Sequence, residues 1–148
     1  PTATRFSLRS SGIQPTDSPM TDLTHVDDLV EQQDRGADLT ITHPVTGEKM
    51  PDVVLTIAGP DSATARRSRI QFSDELMAFR HRPPAEELER MEIERLARLV
   101  VGWRVTREGK PVEFSFTNVV RLLTSAQFIR EQVEAFSQKR DAYFMRTL

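Results

Sequence analysis

The chain has 148 residues, 38% of them hydrophobic and 28% charged, with 20 Lys and Arg against 22 Asp and Glu for a net charge of −2. That length suits one domain, and the balanced charge supplies no overall field for counterion-driven binding to nucleic acid or anionic lipid. Cysteine is absent, which excludes disulfide frameworks and a cysteine nucleophile, and no apolar run approaches the roughly 20 residues of a bilayer-spanning helix.

Residues Pro1 to Pro19 contain four Ser, three Thr, three Pro and one Gly, with only Phe6, Leu8 and Ile13 as large apolar residues. Such a stretch buries too little surface to offset ordering entropy, so residues 1–19 are predicted as a disordered leader and residues 20–148 as a single domain. The leader lacks the apolar core of a secretory signal; an Arg- and Ser-rich transit peptide is the alternative, and Met20 is a candidate natural start. From Thr24 to Arg35, Val26, Leu29 and Val30 recur at helical spacing behind Asp27 and Asp28, predicting a short helix that stops near Gly36. Leu39 and Ile41, then Val53, Leu55 and Ile57, alternate with polar residues. They predict strands near Leu39–Thr42 and Asp52–Ala58, joined through His43-Pro44, Thr46-Gly47 and Met50-Pro51 as a hairpin.

Gly59-Pro60-Asp61-Ser62 closes the second strand and offers a cap for a helix over about Ser62–Arg80. Pro83-Pro84 breaks it and opens a helix over Ala85–Val101, with Leu88, Met91, Leu96, Leu99, Val100 and Trp103 on one face. Its solvated face offers the i,i+4 pairs Glu86/Arg90 and Glu94/Arg98. Gly102 is read as its end. Beyond it, Trp103, Val105, Val112, Phe114 and Phe116 alternate about Arg107-Glu108-Gly109-Lys110, as in a small loop or hairpin. Ser115 or Thr117 would cap a helix over Thr117–Leu123. Ser125 would cap a last helix over Ala126–Phe144, striped by Ile129, Val133, Phe136 and Tyr143 or Phe144. The fold class is therefore α+β: an N-terminal β-hairpin (a short helix and hairpin over residues 20–60) with a mainly α-helical C-terminal portion over residues 61–148. Trp103 is expected to be a buried anchor against the last helix, near Val133 or Phe136.

The chemistry-bearing residues are sparse. His25, His43 and His81 have no partners at metal-ligand spacing, and phosphate loops and serine-nucleophile motifs are absent. Adjacent carboxylates such as Glu86-Glu87 point in different directions on a helix, which does not suit an acid–base pair. No metal, cofactor or catalytic site is expected. Arg66, Arg67 and Arg69, with Arg80, His81 and Arg82, form the basic concentration. It could meet an acidic partner or RNA, although a solvated helix edge is the favoured reading and only Phe72 and Phe79 stand by for base stacking.

An ordered series of short motifs runs through the second half: Val101-Gly102-Trp103, Gly109-Lys110-Pro111, Phe114-Ser115, Asn118-Val119-Val120, Leu122-Leu123, Ile129-Arg130-Glu131-Gln132-Val133 and Phe144. The first half adds His43-Pro44-Val45-Thr46-Gly47 and Ile57-Ala58-Gly59-Pro60-Asp61-Ser62 before an Arg-rich helix. From about Leu23 to Phe144 the chain resembles the tail assembly chaperones of long-tailed phages and prophages, with Glu113 where that family often has Pro and no counterpart for residues 1–19. The resemblance implies a non-enzymatic protein of the bacterial cytoplasm that binds the tape-measure protein, keeps its long helices soluble and helps recruit major tail tube subunits. A structural tail or head-completion component and a small host regulatory binding module are the alternative readings. A groove lined by Leu96, Leu99, Trp103, Leu122, Leu123, Ile129, Val133 and Phe136 could take a striped helix, though those residues also suffice as the domain's own core. The residues surplus to that core, Phe128, Tyr143, Phe144 and Met145, are the predicted partner face, together with Arg66, Arg67 and Arg69.

Overall fold

Alternation in the first half of the chain builds the sheet. In the computed structural model, which describes residues 22–143, α1 (Leu23–Arg35) leads into β1 (Ala37–Thr42) and β2 (Lys49–Ile57), antiparallel with Leu39 opposite Leu55 and Ala37 opposite Ile57. Asp22 caps α1 by accepting from the amides of Thr24 and His25, so the cap precedes the expected Asp27-Asp28 turn. His43 organises the β1–β2 turn, its Nδ1 accepting from the Val45 and Thr46 amides.

Two helices follow, α2 (Ala63–Met77) and α3 (Ala85–Ala97), before the chain returns to the sheet as β3 (Val100–Arg107). β3 pairs with β2, placing Trp103 opposite Leu55 and Val105 opposite Val53, and a short β4 (Lys110–Pro111) completes an antiparallel sheet of order β1-β2-β3-β4. The fold class is α+β, with strands towards the N-terminus and helices mostly towards the C-terminus. The predicted helix over Ala85–Val101 is too long: it stops at Ala97, and Val100 and Val101 are extended. Gly102 is not a helix terminator but a strand residue opposite Thr56. The β-branched pair Val100-Val101 finds on β2 a row of unpaired backbone groups, and satisfying them outweighs one more helical turn.

α4 (Phe116–Ser125) and α5 (Gln127–Ser137) then pack over the same sheet face, followed by a 3₁₀ turn at Asp141–Tyr143. Ser115 caps α4 through the Asn118 amide, as the sequence suggests. Ser125 does not cap α5; its hydroxyl donates back to the Leu122 carbonyl, because α4 and α5 abut at Ala126. The last helix ends at Ser137 rather than continuing towards Phe144.

Ile41, Leu55 and Ile57 from the sheet, Ala65, Ile93, Leu96 and Ala97 from α2 and α3, and Val119, Leu123, Ile129 and Val133 from α4 and α5 form one buried cluster. The opposite sheet face carries the buried Val54 among polar residues: Thr56 Oγ1 donates to Asp38 at 2.7 Å, and Arg104 lies 3.8 Å from the same carboxylate. The edge of β1 is closed by Gln132 of α5, whose side-chain amide accepts from Thr42 N and donates to Thr42 O, both at 2.8 Å. A glutamine thereby substitutes for a neighbouring strand at the point where the β1–β2 register shifts.

The β2–α2 corner ties the molecule together. Gln33, buried on α1, accepts from Asp61 N, donates to Asp61 Oδ2, and offers its backbone carbonyl to Gly59 N. Asp34 accepts from Ala63 N at the start of α2, and Arg140 forms a two-pronged contact with Asp61 at 2.7 and 3.0 Å. Only glycine fits at position 59, since a Cβ there would stand 2.6 Å from the Gln33 side chain.

Candidate functional site

The predicted partner face does not come together. Tyr143 is a correction: it is 2% exposed, its ring packs at 5.8 Å from Phe136, and its hydroxyl donates to Ala58 O at 3.0 Å. An aromatic with one polar end is well placed where the body meets core and the hydroxyl meets a buried carbonyl, so this side chain closes the core and is not offered to a partner. Phe128 is also drawn in, partly buried against the central cluster. Phe144 and Met145 lie outside the described residues. Leu96, Leu123, Ile129 and Val133, proposed as groove lining, are interior residues of this domain.

Trp103 departs from expectation in its burial. It is partly buried, its indole N–H donates to Val112 O at 2.9 Å, and Phe114 meets its ring edge-on at 5.9 Å. It therefore anchors the segment that leaves the β3–β4 hairpin. That segment is further fixed by Asn118, which donates to Glu113 O, and by the Ser115 cap. The result is a hydrogen-bonded segment leading into α4 that leaves Phe114 and Phe116 41% and 48% exposed.

Facing this turn is a cleft of about 420 Å³ between α2 and the start of α4. Thr64, Arg67, Ser68 and Gln71 of α2 form one wall, Ala97, Arg98 and Val100 the floor, and Phe114, Phe116 and Val119 the other wall. The α2 residues fall at i, i+3, i+4 and i+7, a single ridge. Arg98, expected to pair with Glu94, turns inward instead: Nε donates to Ser68 Oγ and Nη2 to Ser68 O. Burial pushes its guanidinium below the usual arginine range, while Glu75 and Glu94 act in the opposite direction from a distance. Neither Arg67 nor Arg98 has a carboxylate within salt-bridge distance among the described residues.

Of the three arginines singled out from sequence, only Arg67 lines this cleft. Arg69 turns towards the corner loop and donates to Pro60 O, while Arg66 is exposed on α2. In the sequence Phe114 and Phe116 merely continue an alternating pattern; the signal that sets them apart is their position on either side of the helix-capping Ser115. Among the described residues, no group of three His, Asp or Glu is placed to hold a metal ion, and no helix is long and apolar enough to cross a membrane. Comparison with protein-family models, curated proteins and solved structures gives no match to this chain.

Proposed function

We propose that this chain is a phage or prophage tail assembly chaperone: a non-enzymatic protein of the host bacterial cytoplasm that binds the tape-measure protein and assists assembly of the tail tube. The observation that carries the reading is the outward-facing pair Phe114 and Phe116 beside an open cleft. Two large aromatics held beside the cleft keep part of their apolar surface in water at a cost in solubility, and since each is a little under half exposed, partner burial would recover roughly 0.7–1.5 kcal/mol for each. Further support comes from packing among the motifs behind the family resemblance. Trp103, the Gly109-Lys110-Pro111 turn, Phe114-Ser115 and Asn118 build the structure that presents this pair. In this reading the cleft receives one turn or two of a striped tape-measure helix, in the manner of helix-in-groove recognition.

Co-expression tests it. The full chain should raise the soluble yield of the tape-measure protein from the same phage, and Phe114→Ser with Phe116→Ser should abolish the rescue while the free protein still unfolds cooperatively, at a midpoint lowered by the lost Phe114–Trp103 contact. Absence of rescue by the wild type, with the chain instead retained at fixed copy number in purified virions, would replace the chaperone with a structural component.

A further inference from the structure

We infer that the cleft between α2 and the Phe114–Phe116 turn selects an acidic amphipathic helix, one with carboxylates bordering its apolar stripe. The inference rests on the preceding reading of the cleft as a helix-binding site and adds the chemistry of its occupant. The chain as a whole carries slightly more acid than base, yet the ten residues lining the cleft include Arg67 and Arg98 and no Asp or Glu. The Arg98 guanidinium is partly buried and bonded to Ser68 oxygens, with Glu75 and Glu94 acting on it from a distance and no carboxylate in contact. Arg67 has a single long contact, 3.4 Å to Thr64 Oγ1, which leaves most of its guanidinium donors available. A partly buried cation gains from an anion that a bound helix brings to it while covering the cleft, and a guanidinium presents paired donors to a carboxylate.

The apolar side of the cleft fixes where the stripe must lie. Phe114, Phe116, Val100 and Val119 line it beside the arginines. An occupant helix therefore places aliphatic residues on the aromatics and, one ridge away, Glu or Asp towards Arg67 and Arg98. The chain's own N-terminal stretch has the wrong sign for this role, since residues 1–21 contain Arg5 and Arg9 against Asp17 alone. A lysine-bordered stripe would set like charges against the α2 wall, and such juxtaposition is disfavoured strongly enough to exclude partners.

The test is a titration of the full chain, followed by NMR at the arginine Nε–H and phenylalanine ring signals, with two synthetic peptides of about sixteen residues. One carries Leu at i, i+3, i+4 and i+7 bordered by Glu; the other replaces every Glu by Lys. The Glu peptide should bind at least about tenfold more tightly and move the signals of Arg67, Arg98, Phe114 and Phe116, with an affinity that falls as salt is raised. Arg67→Glu, a change at an exposed position that leaves Arg98 in place, should abolish the preference. Equal binding of both peptides, shifts confined to other surfaces, or no shift at about 1 mM Glu peptide would each overturn the inference. Concentration-dependent shifts without peptide would also overturn it, by assigning the cleft to a second copy of the chain. Rescue of the tape-measure protein combined with equal binding of the two peptides would leave the chaperone reading standing and remove only the acidic preference.

Discussion

Replacing Tyr143 should unfold this protein's core, not merely alter its surface. Tyr143 is buried to 2% exposure, stacks beside Phe136 and donates to the carbonyl of Ala58, itself fully buried, from 85 residues away in sequence. Tyr143→Ala removes an aromatic of core size, which costs about 3–5 kcal/mol where the cavity does not collapse. Tyr143→Phe keeps the ring and orphans the Ala58 carbonyl, for about 1–3 kcal/mol. With a urea m-value of about 2 kcal/mol/M, the alanine variant should lose roughly 1.5–2.5 M in midpoint and the phenylalanine variant about 0.5–1.5 M, at unchanged m. Burial also raises the phenol's ionisation above its ordinary value near 10. A pKa raised by folding gives stability that is complete below the unfolded value and lost as pH climbs towards the folded one. Stability should therefore fall above about pH 10 in the wild type, and that part of the fall should vanish in Tyr143→Phe. Since Tyr143 is the chain's single tyrosine, its ultraviolet ionisation curve reports this group alone. A midpoint for Tyr143→Ala within about 0.3 kcal/mol of wild type, or ionisation at the ordinary value, would refute the burial argument and return Tyr143 to the surface.

Gln132→Leu leaves both backbone groups of Thr42 unpaired at the β1 edge; urea unfolding should show a loss of about 1–3 kcal/mol, and light scattering should show more association through the uncovered strand. Gly59→Ala drives a methyl into the Gln33 side chain and should cost about 1–3 kcal/mol in the same assay, since Gln33 is pinned by Asp61 and cannot retreat without breaking those bonds. The Arg140 contact, aided by Gln33, holds the Asp61 carboxyl below the usual aspartate range against an opposing effect of partial burial. Its stabilisation is present above the unfolded value near 4 and lost as pH falls through the lowered folded value, so Asp61→Asn should flatten that acid limb of a stability–pH curve.

What was legible in the sequence is what repeats locally. Leu39, Ile41, Val53, Leu55 and Ile57 announce the hairpin by period two, and Ser62 and Ser115 announce helix starts by the hydrogen bonds they then make. The segment from Leu96 to Trp103 fits both periods: its apolar residues stand at i, i+3, i+4 and i+7, while Val100-Val101 favours a strand. The open edge of β2, which no local pattern contains, decides between them. Gln33 and Gln132 are helix residues recruited to distant backbone groups, and polar side chains carry no sequence mark of that use. Tyr143 continues the helical stripe of Ile129, Val133 and Phe136 in the sequence, but the helix ends at Ser137, and a hydrogen bond to Ala58 85 residues away leaves no local mark. The cleft was missed for a related reason: Arg67, Arg98 and Phe116 come from three separate elements, and Arg98 was assigned by spacing to Glu94 when a Ser68 oxygen lay closer at hand.

Backbone hydrogen exchange of the full chain, alone and with the tape-measure protein of its own phage, tests the central claim most directly. The account predicts slowed exchange in the complex over residues 64–71 of α2 and 112–119 around the Phe114–Phe116 turn, with the β1 edge and α5 unchanged. Protection concentrated on α5 with the cleft unaffected, or no protection anywhere under conditions that keep the tape-measure protein in solution, would contradict it.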